Sequence, residues 1–85
     1  MDGLSLGSMV HYVMPNGMHR PAIVVEISDQ VAGTVNLQVF TDGANDQMTG
    51  ADVFNELVSR GILWRTSVEY AEVADVNTWH WPEVL

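Results

Sequence analysis

The chain has no cysteine and no lysine. Without cysteine, neither a disulfide framework nor a thiolate metal site can form, and the absence fits a reducing cytoplasm. Without lysine, the bases reduce to Arg20, Arg60 and Arg65, set against eleven acidic residues for a formal net charge of −8. That balance argues against DNA, RNA and anionic lipid as partners, because each is held by neutralising phosphates with basic side chains. A small anionic ligand stays compatible, since one or two arginines in a pocket act locally. Long apolar runs are missing as well. No stretch approaches the roughly 20 residues that a membrane helix needs, and "MDGLSLGSMV" lacks the basic and apolar regions of a signal peptide. A soluble protein is expected.

What is present points to one small folded domain spanning residues 1–85. At 85 residues and 47% hydrophobic residues the chain is too apolar for disorder, yet short enough that a partner would help its stability. Residues 1–8 read as a loose lead-in. "MVHYVM" (9–14) has strand character and "PNG" (15–17) supplies a tight turn. "AIVVEI" (22–27) reads as a strand buried on both faces, and "SDQVAG" reads as a loop. In "TVNLQVFT" (34–41), Val35, Leu37 and Val39 alternate with Asn36 and Gln38, the period of a half-buried strand. One short helix is expected over about residues 50–60. Thr49 and Asp52 suggest a capping box, Arg60 suits the last turn, and Gly61 provides the stop. "ILWRTSVEYAEV" returns to strand, with Trp64, Thr66, Val68 and Tyr70 on one face and Arg65, Ser67 and Glu69 on the other. The expected fold is mostly β: a small SH3-like barrel or bent antiparallel sheet of four to five strands with one short helix. A split sheet with the helix packed on one face is the alternative.

Catalytic patterns are missing too. His11, His19 and His80 form no H-E-x-x-H motif and no i,i+4 pair, and the serines lie in no nucleophile elbow. A three-histidine metal site requires the fold to gather residues whose spacing gives no sign of it. Hydrogen-bonded histidines at loop and strand edges are the simpler reading, so neither metal nor cofactor is expected. "DGANDQ" fails the EF-hand template at its glycine and glutamate positions and reads as an Asx-rich turn. The remaining side chains suit binding. Arg20 and Arg65 offer planar forks for phosphate, with His19 or His80 assisting. Trp79 or Trp81 offers a shelf for a base, and Asn36 and Gln38 offer amide hydrogen bonds. In "TWHWPE" (78–83) an extended backbone puts Trp79 and Trp81 on one side and His80 on the other, and Pro82 ends sheet pairing.

The segments "VHYV", "NGMHRPAIVV", "VNLQVFTDGAND", "LWRTSVEY" and "TWHWPE" resemble a family of small uncharacterised proteins encoded by tailed phages and prophages. The likeness covers most of residues 9–83, although the helical stretch "QMTGADVFNELVSRG" departs from the family's shorter, glycine-rich connection. The family carries no agreed activity. The resemblance implies a phage context and hence the cytoplasm of an infected bacterial host. In that context the leading expectation is a non-enzymatic anti-defence protein, a homo-oligomer sequestering a small nucleotide-like immune signal. The alternative is a virion, assembly or protein-interaction module.

Overall fold

A computed structural model describes residues 1–83. Five strands, β1 (Met9–Val13), β2 (His19–Asp29), β3 (Thr34–Phe40), β4 (Ile62–Tyr70) and β5 (Thr78–His80), and one helix, α1 (Asp52–Ser59), follow in that order along the chain, with α1 between β3 and β4. The strands close into a barrel in the order β1-β2-β3-β4-β5, as the mostly β expectation required, and the split-sheet alternative is not formed. Neighbours pair antiparallel around the barrel except β4 and β5, which are parallel over two register pairs, Glu69↔Thr78 and Tyr70↔Trp79. The seam between β1 and β5 is equally short, His11↔His80 and Tyr12↔Trp79.

Alternation builds the core. Val10 and Tyr12 of β1, Ala22 and Val24 of β2, Val35, Leu37 and Val39 of β3, and Leu63 and Val68 of β4 point inward and are buried. Trp79 fills the centre with no solvent exposure, its indole N–H donating to the Gly33 carbonyl at 2.7 Å. Gly33 sits at a φ of 78°, and a Cβ there would meet the Met1 Cε at 2.7 Å and the Tyr70 Cβ at 3.2 Å, so this turn requires glycine.

Several expectations change. Residues 1–8 are anchored at points along their length: Leu4 is buried in the core and the Gly7 amide donates to the Val24 carbonyl at 2.8 Å, while Asp2, Gly3, Ser5 and Leu6 stay exposed. β2 begins at His19 and runs to Asp29, and its Ile23 and Val25 face outward, so it is buried on one face only. A closed barrel gives every strand an outer face, which a run of β-branched residues cannot reveal. The single face drawn through Trp64 and Val68 is broken by a register shift between Val35↔Val68 and Leu37↔Arg65, with Ser67 at a φ of 52°. The bulge reverses the phase, so that Leu63 and Val68 point inward and Trp64 is 61% exposed. Ala51, not Thr49, precedes α1 and gives no side-chain cap. Arg60 lies just past the helix, pairing with Glu56 at 2.6 Å. Gly61 ends the helix as expected, at a φ of 83°.

Candidate metal centre

The hairpin register places Val13 opposite His19 and His11 opposite Pro21, so His11 and His19 are diagonal neighbours on the outer face. Across the seam His11 lies directly opposite His80. The ring centroids are 5.8 Å apart for His11 and His80, and 4.7 Å apart for His19 and His80, both edge-on. Pro82 takes no part in the sheet, and beyond it Glu83 folds back over the imidazoles.

The Glu83 carboxylate is the hub. Its Oε1 lies 2.7 Å from His80 Nε2 and 2.8 Å from His19 Nδ1, while Oε2 lies 3.3 Å from His11 Nδ1. The His80 hydrogen bond, more than the one from His19, holds the Glu83 carboxyl below the usual carboxylate range, against a smaller opposing effect of partial burial. The hydrogen bonding is incomplete. Nδ1 of His11 and Nδ1 of His80 are buried without a hydrogen-bond partner, a deficit of order 1–3 kcal/mol for each such group.

One ligand atom from each of His11, His19, His80 and Glu83 lies within 4.8 Å of the others. A zinc-class ion bonds imidazole nitrogen and carboxylate oxygen at about 2.0–2.2 Å, which in a tetrahedron spaces the ligand atoms roughly 3.4 Å apart. The observed separations straddle that value. Seating an ion would push Glu83 back by about 0.6–0.7 Å from His80 and His19 and draw the more distant atoms inward. It would also give the unpartnered His11 Nδ1 a bond. Glu83, with its side chain 49% exposed, and His19, at 31%, have room to adjust, while His80, at 9%, is held by packing. Three neutral nitrogens and one carboxylate form a borderline-soft donor set. They suit zinc and its neighbours in the first transition row better than magnesium or calcium, which prefer all-oxygen sites.

The other residues singled out in the sequence are dispersed. Arg20 follows His19 but faces the opposite way and grips Asp46, with Nε–Oδ2 at 2.8 Å and Nη2–Oδ1 at 2.7 Å. Asp46 is 1% exposed and also accepts from Asn16 at 3.1 Å and from the Asp42 amide at 2.8 Å. Burial alone would raise its pKa, but the bonds from Arg20, the Asp42 amide and Asn16 together bring it below the usual range. Arg65 donates from Nε to the Tyr12 hydroxyl at 3.1 Å, and that hydroxyl donates to Asn77 Oδ1 at 2.9 Å. The Asn36 side-chain Oδ1 accepts from the Ser67 amide at 2.9 Å, holding the β4 bulge. Trp79 belongs to the core, with half-buried Trp81 edge-on to it at 5.2 Å. Gln38 stands in an outward row, Met9–Ile23–Gln38–Trp64.

Of the residues proposed for a nucleotide site, the fold brings His19 and His80 together in the cluster, to which it adds His11 and Glu83, and it pairs Trp79 with Trp81 at the core. The class defined by fold and site is a small closed β-barrel carrying a three-imidazole, one-carboxylate cluster on its outer face. Comparison with protein-family models, with curated proteins and with solved structures finds no match in any of the three.

Proposed function

We propose that this chain is a non-enzymatic binding protein whose ligand is a divalent transition-metal ion of the zinc class, held by His11, His19, His80 and Glu83. The observation that carries this reading is the convergence of four ligand atoms from β1, β2, β5 and the segment after it within 4.8 Å. The buried Nδ1 of His11, which faces Glu83 and has no hydrogen-bond partner, supports it. The phage setting suggested by the sequence resemblance belongs to the same proposal, since sequestering a scarce ion and sequestering a signal both need a binder without a catalytic apparatus. The nucleotide reading draws less support, because Arg20 is occupied by Asp46 and Trp79 by the core.

Isothermal titration of chelator-treated protein with Zn²⁺ tests the proposal. One ion per chain is expected, with binding lost in the His11→Ala/His19→Ala double variant. Undiminished binding by that variant would place the ion on surface carboxylates instead.

A second reading, self-association, is favoured by one observation. The outward row Met9–Ile23–Gln38–Trp64 and the adjoining pair Phe40–Ile62 carry no charge. In a chain of net charge −8 such a face lets two copies meet without carboxylate repulsion. Sedimentation equilibrium of the chain beside Trp64→Glu checks this: a dimer that the variant abolishes supports it, and a monomer at all concentrations removes it.

A further inference from the structure

The barrel is unevenly closed. β2 and β3 share six register pairs and β3 and β4 share five, whereas β5 touches β1 through two pairs and β4 through two. β5 is three residues long, yet it carries Trp79, the largest side chain of the core. Opening of β5 would expose that indole and the barrel interior while breaking few backbone hydrogen bonds. Short strands with few ladder bonds are where local unfolding concentrates.

The histidine–glutamate cluster straddles this weak seam. His80 lies on β5 and Glu83 just beyond it, while His11 and His19 lie on β1 and β2, on the other side. His11 and His80 are the facing pair of the seam itself, and the His11 Nδ1 that faces Glu83 is buried without a hydrogen-bond partner. Within the cluster the direct side-chain link across is carried by the Glu83 carboxylate, which reaches His19 at 2.8 Å and approaches His11 at 3.3 Å, while the Tyr12 hydroxyl bonds Asn77 just before β5. An ion bonded to ligands on both sides would replace the partly exposed Glu83 contact with bonds that must break before β5 can leave.

Resting on the metal reading above, we infer that the ion acts as a latch: its occupancy of the His11–His19–His80–Glu83 cluster controls opening of the β1–β5 seam and of the segment through Glu83, independently of global unfolding. This ties occupancy to exposure of Trp79 and Trp81, and gives the protein two surfaces, one closed and metal-loaded, the other open and aromatic.

Hydrogen–deuterium exchange of the full chain, with chelator and with a saturating Zn²⁺ concentration fixed by titration, separates the latch from simple binding. The reporters are the Asn77 amide, bonded to the Val13 carbonyl at 2.7 Å, and the Ala71 amide, bonded to the Trp79 carbonyl at 3.0 Å. The reference amides are those of the Ala22–Val39 ladder between β2 and β3. The expected result is seam exchange faster than ladder exchange in chelator, as opening independent of global unfolding requires, and at least tenfold slower seam exchange with zinc. Binding of one Zn²⁺ with no slowing at the seam, or seam and ladder exchanging at one rate in chelator, would overturn the latch and leave the metal site standing. Failure of Zn²⁺ to bind at all would overturn the metal reading and the latch with it.

Discussion

Adding Zn²⁺ to chelator-treated protein perturbs only the cluster, and the size of the response follows from where its ligands lie. His19 and Glu83 are 64 residues apart in sequence, so an ion joining them closes most of the chain into a loop. A permanent cross-link of that span would remove about 4 kcal/mol of unfolded-chain entropy. A reversible ion must first meet that closure cost from its own bonds, so mass action sets the net effect. For one site and a ligand that ignores the unfolded chain, free Zn²⁺ at a hundred times its dissociation constant stabilises by about 2.7 kcal/mol. In a domain of this size each kcal/mol raises the melting temperature by roughly 4–8 °C, giving an upward shift of about 10–20 °C by thermal unfolding. Mg²⁺ and Ca²⁺ at the same concentration should give almost none, because the cluster offers one carboxylate and three nitrogens. His19→Ala should abolish most of the zinc response while leaving the metal-free melting temperature within a few degrees, since that side chain is partly exposed and its one side-chain hydrogen bond is to Glu83. Equal shifts for zinc and magnesium, or an undiminished zinc shift in His19→Ala, would refute the reasoning.

Asp46→Ala strands the Arg20 guanidinium and should cost about 3–5 kcal/mol in urea unfolding, as breaking a buried pair does. Because folding lowers the Asp46 pKa, its contribution is complete above the unfolded carboxyl value of about 3.9 and disappears as the pH falls through the lower folded value, so urea midpoints of the parent chain should drop below about pH 4. Trp79→Ala empties the barrel centre and should cost about 3–5 kcal/mol, read in the same assay. Ser67→Gly relieves a left-handed backbone conformation at the β4 bulge and should stabilise by up to about 1 kcal/mol, provided the Asn36 contact to the residue 67 amide survives. Zinc affinity should fall as the pH is lowered, since metal binding releases protons from its ligands, and titrations at a series of pH values would show it.

How much the sequence discloses depends on the range of the contacts. Strands β1 and β3, the helix and its glycine stop are local matters of period and turn chemistry, and residues 34–41 display theirs openly. The shared face of His11 and His19 is also legible once the Pro15–Gly17 turn is taken as a hairpin, because Val13↔His19 then fixes the parity. His80 could not be placed that way. It reaches His11 only through a pairing that joins the two ends of the barrel, and no local pattern encodes which strand closes on which. Glu83 depends in turn on that pairing and on the course of the irregular segment after β5. The "TWHWPE" alternation correctly separates His80 from Trp79 and Trp81, but it cannot say that the histidine side meets two more histidines. The β4 phase error has a comparable origin: a one-residue bulge at Ser67, held by an Asn36 side chain from the next strand, inverts a face that strict alternation assigns the other way.

The most direct test of the metal centre is long-range ¹H–¹⁵N NMR of the three imidazoles as one equivalent of Zn²⁺ is added. Coordination by this cluster predicts that His11 Nδ1, His19 Nδ1 and His80 Nε2 all shift to metal-bound values in slow exchange, complete at one ion per chain, because those are the nitrogens facing Glu83. Imidazole resonances that stay in place while zinc binds, or that move for one histidine alone, would contradict it.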